Sequence, residues 1–428
     1  MKINDITIKV HRFGPLEDVS FKIAPMMIFT GMSSLGKSYA NYLVYYFLLN
    51  VCNGYLRDFL KANIDFGKER QQLVFDIDVF FSQLSAHVET FMQKFLGDDG
   101  LKADVEFRSL KKKRTCQIEF WKDEPANEEE ATFQHTVLQA YWMRFEGGAP
   151  LRLPSKEYIL FYAERDIELF VLGQYLSRAV ILPPGRGAFV GENFSLKSEV
   201  GSSMDMYNNF FRDYDYGLNQ RIRLRGGVSE KVSDRLLQMT SGGKLLSIEG
   251  KQYLQLDDEH RIALSAGASS VKDLSPWLFY MQNHWNIFAS FCLEEPEAHQ
   301  HPSVTLQIAD VIAVLLNQGN IFHLTTHSDY LIQRLNQLVK LGGVRRKDKT
   351  LFAQICKERS LNTRSYLDAS DIRAYYFSKN SKGKTVVEAL KVTDDGIPMN
   401  TFFDVVRDLE EREDYINAAV YQQKKLEE

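Results

Sequence analysis

Polar and apolar positions alternate through MKINDITIKV and again through FGPLEDVSFKI, the period of half-buried strands. An apolar run, PMMIFT, leads into the glycine-containing GMSSLGKS, and a continuous apolar stretch from Tyr42 to Cys52 follows. The first fifty residues therefore read strand, turn, strand, glycine-rich loop, helix. Further on, Ile77, Phe80, Phe81, Leu84, Val88, Phe91 and Phe95 recur at three- and four-residue steps, an amphipathic helix stopped near Gly97. VEFRSL and TCQIEFW alternate on either side of KKKR, which predicts a hairpin with a basic tip. Acidic KDEPANEEE after it reads as a solvated loop. A helical pattern from Glu164, ERDIELFVLGQYL, runs into apolar AVIL, ended by Pro183, Pro184 and Gly185.

Alternation through Lys244 to Leu264 predicts a strand meander. From apolar SPWLFYM onward the order is helix, strand (IFASFCL), helix (VTLQIADVIAVLL), strand (IFHLTT), helix (DYLIQRLNQLV), the signature of a parallel sheet covered by helices. DIRAYYF and TVVEALKV add strands, and a last helix starts near Thr401. The expected class is α/β: a mixed central sheet flanked by helices, carrying a helical and β-hairpin insertion. Expected boundaries are 1–52, an insertion over 53–175, the second half of the head over 176–345, and completing strands and helix over 346–428.

Composition narrows this only in places. With 428 residues and 44% hydrophobic content the chain can bury a large core, so disorder throughout is excluded. A net charge of −4 supplies no global positive field for nucleic acid or an anionic membrane, so any DNA contact is local. The four cysteines form no CxxC pair, which fits neither a disulfide framework nor a zinc ribbon and suits a reducing compartment. The N-terminus lacks the pattern of a signal peptide, and Tyr42–Cys52 is about half the roughly 20 residues a membrane span needs. A cytoplasmic protein without a membrane partner is expected.

Gly31-Met32-Ser33-Ser34-Leu35-Gly36-Lys37-Ser38 matches G-x-x-x-x-G-K-[ST] between an apolar strand and a helix. In that pattern glycines turn backbone N–H groups of the loop, here Gly31, Ser33, Ser34 and Gly36, toward phosphates. Lys37 reaches the terminal phosphates and Ser38 ligates magnesium. The helix start adds its positive dipole end. Glu294 and Glu295 close an apolar strand, which in such a protein puts the first acid in the magnesium shell and the second where it orients a water. His327 ends the next apolar strand, placed to touch a terminal phosphate or hold that water. Leu264-Ser265-Ala266-Gly267-Ala268 offers small residues at a helix start, a second anion site.

The order of P-loop, LSAGA, FCLEEPEAHQHP and TTHSDYL resembles the ABC ATPase heads. EEPEAHQHP and THSDYL resemble most the SMC-like and OLD-like (overcoming lysogenization defect) group, which includes RecF and bacterial phage-defence ATPases. ILPPGR at Pro183–Arg186 resembles the proline-arginine segment of OLD-like proteins. The resemblance covers about residues 1–50 and 245–340. It implies ATP and Mg2+ as ligands and a homodimer or higher homo-oligomer, with Ser265 and Gly267 capping the nucleotide on another subunit's loop. It makes Glu294 the Walker B acid, Glu295 the base and His327 the switch histidine. Glu294 stands in place of the usual aspartate, and LSAGA lacks the second glycine and the final glutamine of LSGGQ.

The resemblance also implies gating of a separately encoded effector, a nuclease or toxin, in phage defence. No nuclease pattern follows His327, where Asp394 and Asp395 are adjacent rather than spaced. A DNA repair ATPase of the RecF or SMC kind is the alternative; no heptad array long enough for an SMC rod is seen. Arg221, Arg223 and Arg225 alternate on NQRIRLRGG as a candidate DNA-facing strand or a solvated one. KKKR at 111–114 and RRKDK at 345–349 read as exposed turns. Glu297, His299 and His301 lack the helical spacing of a metal pair and read as a connecting loop. The Ile77–Phe95 stripe reads as core or as a docking helix for an effector.

Overall fold

The computed structural model describes residues 3, 6–52, 54–123, 140–190, 205–219, 243–256, 260–283 and 288–427. Alternation at the N-terminus becomes β1 (Ile6–Phe13) and β2 (Leu16–Lys22), antiparallel, with Ile8 opposite Phe21. β3 (Met26–Gly31) is buried from Met26 to Thr30, and the loop after it leads into α1 (Lys37–Cys52). There follow α2 (Tyr55–Asn63), β4 (Arg70–Asp76) and α3 (Ile77–Leu96). The α3 stripe buries Ile77, Phe80, Phe81, Leu84, Val88, Met92 and Phe95. Asp76 caps its start, and Gly97, at φ +68°, supplies the left-handed stop.

The expected hairpin around KKKR does not form. β5 (Ala103–Ser109) pairs with β1, giving the sheet order β2-β1-β5. β6 (Thr115–Lys122) pairs instead with β4 and with β7 (Tyr141–Phe145), and β8 (Leu151–Leu153) completes a second antiparallel sheet, β4-β6-β7-β8. Alternation reports which face of a strand is buried, not which strand it pairs with. Phe107 lies against Phe47 and Tyr46 of α1 at centroid distances of 5.2 and 5.9 Å, and burying a phenylalanine is worth about 1.5–3 kcal/mol. Three of the four basic residues are held by neighbouring elements. Arg114 binds Asp78 and the Ser109 carbonyl, Lys113 binds Glu146, and Lys111 lies over the Phe170 ring.

α4 (Lys156–Leu172) begins two turns before the expected start at Glu164, because Ile159, Ala163 and Ile167 already form its buried face. Then come β9 (Arg178–Leu182), α5 (Asp205–Asn219) and the antiparallel meander of β10 (Lys244–Ile248), β11 (Lys251–Gln255) and β12 (Arg261–Ala263). α6 (Ser269–Asn283), β13 (Ala289–Glu294), α7 (Pro302–Leu316), β14 (Ile321–Thr325) and α8 (Asp329–Lys347) follow. Last are α9 (Lys349–Glu358), β15 (Ile372–Lys379), β16 (Thr385–Leu390) and α10 (Asn400–Glu427).

The central sheet has the order β16-β15-β3-β14-β13-β9, parallel throughout except for β16 at one edge. β13 and β14 are buried at every position, as parallel strands covered on both faces require. α1 lies along β3, β14, β13 and β9. The basic run at 345–349 is exposed from Arg346 onward, as expected, but is the end of α8 and the start of α9 rather than a turn. Arg346 binds Asp368 at 2.6 Å and also Asp394, and Arg345 lies over the Tyr366 ring. All four cysteines are buried and free, and among the described residues no helix is long and apolar enough to cross a membrane.

Candidate functional site

The site is built where β3, β13 and β14 end side by side. In the loop after β3, Gly31, Ser34 and Gly36 have φ of +117°, +60° and +93°. A Cβ on Gly31 would sit 2.3 Å from the Phe377 carbonyl oxygen of β15, and one on Gly36 would sit 2.7 Å from Pro15. Both positions thus demand glycine for space as well as conformation. Met32, Ser33 and Ser34 are exposed, whereas Lys37, the first residue of α1, is buried. Its ammonium curls back over the loop, donating to the carbonyl oxygens of Met32 at 2.6 Å and Gly31 at 3.2 Å. Burial pulls the Lys37 pKa down, opposed by the charges of Glu295 and Glu294.

Glu294 is the last residue of β13 and is buried. The parallel register sets it against Thr325 of β14. One carboxylate oxygen accepts from Ser38 Oγ at 2.6 Å and Thr325 Oγ1 at 3.0 Å; the other accepts from Asn41 Nδ2 at 2.7 Å. Burial raises its pKa, and these three donors draw it back. Asn41 stands at the edge of the apolar run Tyr42–Cys52. In the fold it lies one turn beyond Ser38 on the same face of α1, and a polar side chain at that spacing is the signal that could have found it.

Asn41 Oδ1 meets His323 Nδ1 at 2.7 Å, and His323 Nε2 meets Ser290 Oγ at 3.1 Å. Because the Asn41 amide nitrogen is committed to Glu294, its oxygen accepts, so the proton of neutral His323 sits on Nδ1. Burial lowers the His323 pKa to about 3, and the ring is neutral at physiological pH. This Ser290–His323–Asn41–Glu294 chain was not anticipated.

Glu295 is exposed, in the left-handed region at φ +43°, with its N–H on Thr325 Oγ1 at 3.2 Å. Its carboxylate is 3.8 Å from His327 Nε2. Burial lowers the His327 pKa and the Lys37 charge adds to that, with Glu295 opposing. Gly31, Ser33, Ser34, Gly36, Lys37, Ser38, Glu294, Glu295 and His327 therefore gather at one end of the sheet.

Glu297, which the sequence left in a connecting loop, fixes the histidine's backbone. Its Oε1 accepts from Thr326 Oγ1 at 2.6 Å and His327 N at 2.9 Å. His299 pairs instead with Asp273 at 3.7 Å, and His301 Nδ1 caps α7 by accepting from Ser303 N.

Ser265 and Gly267 lie elsewhere. Leu264–Ala266 is a single 3-10 turn with Leu264 buried and Ser265 and Ala266 exposed, and the Gly267 N–H closes on the Leu264 carbonyl at 3.0 Å. Among the described residues no hydrogen bond or ion pair joins Ser265 or Gly267 to the 31–38 loop. The turn is instead tied to the acidic strand end. Arg186 is buried and donates to the Glu294 carbonyl at 2.7 Å and the Asp273 carbonyl at 2.8 Å. Asp273 accepts from Gly187 N at 2.9 Å, and Gln300 Nε2 donates to the Ser270 carbonyl at 2.8 Å. The start of α6 and the Glu294–Glu295 peptide are thus held by one guanidinium. Arg221, Arg223 and Arg225 lie outside the described residues.

No protein-family model matches the sequence, and no curated protein does. Among solved structures the chain is similar to SMC head domains. An SMC head bound to the C-terminal winged-helix domain of ScpA is 12% identical, with a TM-score of 0.39 over 91% of this chain and 98% of that one. The Thermotoga maritima SMC head domain is 10% identical, with a TM-score of 0.34 over 92% and 100%. A Pyrococcus furiosus SMC head with an extended coiled coil, bound to the C-terminal domain of ScpA, is 10% identical, with a TM-score of 0.36 over 96% and 99%.

Proposed function

We propose that the chain is an Mg-ATP-dependent ATPase of the ABC type, whose nucleotide is closed over by a second copy. The observation that carries this reading is the 2.6 Å contact between Ser38 at the head of α1 and the buried Glu294 at the end of β13. A hydroxyl and a carboxylate meeting beside a glycine loop form an oxygen set suited to magnesium. Glu294 has three neutral donors, and among the described residues no Lys, Arg or His side chain is within ion-pair distance of it. Bound there by Ser38 and Glu294, magnesium would supply positive charge against phosphate oxygens.

The rest is assigned to the chain's own groups. Lys37 gives up the Met32 and Gly31 carbonyls for phosphate oxygens, and Gly31, Ser33, Ser34 and Gly36 present loop N–H groups. Glu295 holds a water and takes its proton, with His327 beside it. Ser265, exposed, and Gly267, half-buried, make no hydrogen bond to the 31–38 loop of their own chain among the described residues, and cap the nucleotide of the sister molecule. Support for the sister-molecule closure is this separation together with the LSAGA resemblance.

The test is light scattering of Glu295→Gln with Mg-ATP. A rise in mass above that of the nucleotide-free protein, absent in Lys37→Ala, is expected; an unchanged mass in Glu295→Gln rejects the shared site. The EEPEAHQHP and THSDYL resemblance supports a finer reading, in which closure holds or releases a separately encoded effector in phage defence. Equal phage plating with and without the intact operon would reject it.

A further inference from the structure

α10 is 28 residues long, about 42 Å at 1.5 Å per residue. Every described side chain on it, from Arg407 to Tyr421, is exposed. Leu409 is 58% exposed, Ile416 59% and Val420 47%. These three follow at steps of seven and four residues, so they lie on one stripe of the helix. A single helix in water draws little stability from propensity alone, and a helix that turns an apolar stripe to solvent has the pattern of one that packs against another.

The occupant of the stripe is written in its middle. Between Leu409 and Ile416 the facing positions are Arg412 and Glu413, of opposite charge. In an antiparallel pairing of two copies, the register that sets Leu409 against the partner's Ile416 also sets Arg412 against the partner's Glu413. The two-fold axis then repeats both contacts. In a parallel pairing Arg412 would meet Arg412 and Glu413 would meet Glu413, which is repulsive. Arg412 is already aligned along the helix by its 2.7 Å ion pair with Asp408, four residues back. Glu413 makes no ion pair among the described residues.

We propose that α10 binds the α10 of a second copy as an antiparallel two-helix coiled coil centred between Arg412 and Glu413. This contact is independent of the nucleotide site and forms without ATP. With the nucleotide-closed contact it gives each subunit two different self-complementary faces.

The test is the mass of the full chain in solution, with EDTA and no nucleotide. The expected value is about twice the 49.4 kDa of one chain. Leu409→Asp and Ile416→Asp should each give monomers with unchanged far-UV circular dichroism. Arg412→Glu and Glu413→Arg should each be monomeric alone. Mixed together they should form a heterodimer, and combined in one chain they should restore the homodimer, because both arrangements return every Arg–Glu contact. A monomeric wild-type chain overturns the proposal, as does a dimer that survives Leu409→Asp. Single charge variants that stay dimeric, or a charge-swapped chain that stays monomeric, would place the contact on another surface or assign the stripe to a different protein. Lys37→Ala must leave the nucleotide-free mass unchanged, so failure of the nucleotide reading and failure of this one give different results.

Discussion

Replacing Asn41 by alanine tests the least exposed part of the site. Asn41 is fully buried and joins Glu294 and His323 through contacts of 2.7 Å each, with a weaker one of 3.4 Å to the Leu293 carbonyl. Asn41→Ala leaves the His323 Nδ1 proton without its acceptor, at a cost of about 1–3 kcal/mol for a buried unsatisfied group. It also strips the only described donor from one oxygen of Glu294, and hydrogen bonds to charged groups are worth about 1.5–3 kcal/mol. Together these predict a loss of about 2.5–6 kcal/mol. Urea denaturation followed by tryptophan fluorescence, without magnesium or nucleotide, measures it as a midpoint shift at constant slope.

A companion variant adds a pH signature. Asn41→Asp keeps the acceptor for His323 but sets a second carboxylate against Glu294, whose pKa burial already raises. A carboxylate whose folded pKa lies above its unfolded value stabilises the fold at low pH and loses that contribution as pH rises. Asn41→Asp should therefore lose more stability, relative to wild type, at pH 8 than at pH 5. A cost below about 1 kcal/mol for the alanine variant, near the range of surface substitutions, would refute the reasoning. So would a pH-independent aspartate variant.

Three further outcomes follow from particular positions. Gly31→Ala combines a φ of +117° with a Cβ 2.3 Å from the Phe377 oxygen and should cost about 2–4 kcal/mol by denaturation, whereas Gly147→Ala, at φ +74° with open space, should cost only about 1–2. Glu168 is buried beside Cys52 and accepts from Leu176 N, and burial raises its pKa to about 9. Between the unfolded value near 4.5 and about 9 the folded state keeps a proton the unfolded chain has lost, so stability falls with rising pH at about 1.4 kcal/mol per unit. Glu168→Gln should remove that slope in melts from pH 6 to 8, and an unchanged difference from wild type across that window would count against it. Asp76→Ala deletes a cap that accepts from Asp78 N at 2.8 Å and Val79 N at 3.2 Å, and should lower stability by about 1 kcal/mol with helix α3 intact by circular dichroism.

What depends on neighbours along the chain was legible in the residues themselves. The 3- and 4-residue steps from Ile77 to Phe95 made α3, and the Gly97 stop followed from the one residue that takes the left-handed conformation freely. The mainly apolar runs ASFCL and IFHLT became the doubly covered strands β13 and β14. Gly31 through Ser38, Glu294, Glu295 and His327 are candidates by local spacing at strand ends, and the fold brings them to one end of the sheet.

Strand pairing and the coupling of distant side chains came from the packed fold. VEFRSL and TCQIEFW carry the alternation of a hairpin, yet β5 goes to β1 and β6 to β4, because alternation marks a buried face and leaves the choice of partner to packing by residues far along the chain. Asn41 and His323 meet across 282 positions, and Arg186 reaches Glu294 across 108. No periodicity spans such separations. Hydrogen bonds between buried side chains are set by which strands lie side by side, and that order is a property of the folded sheet.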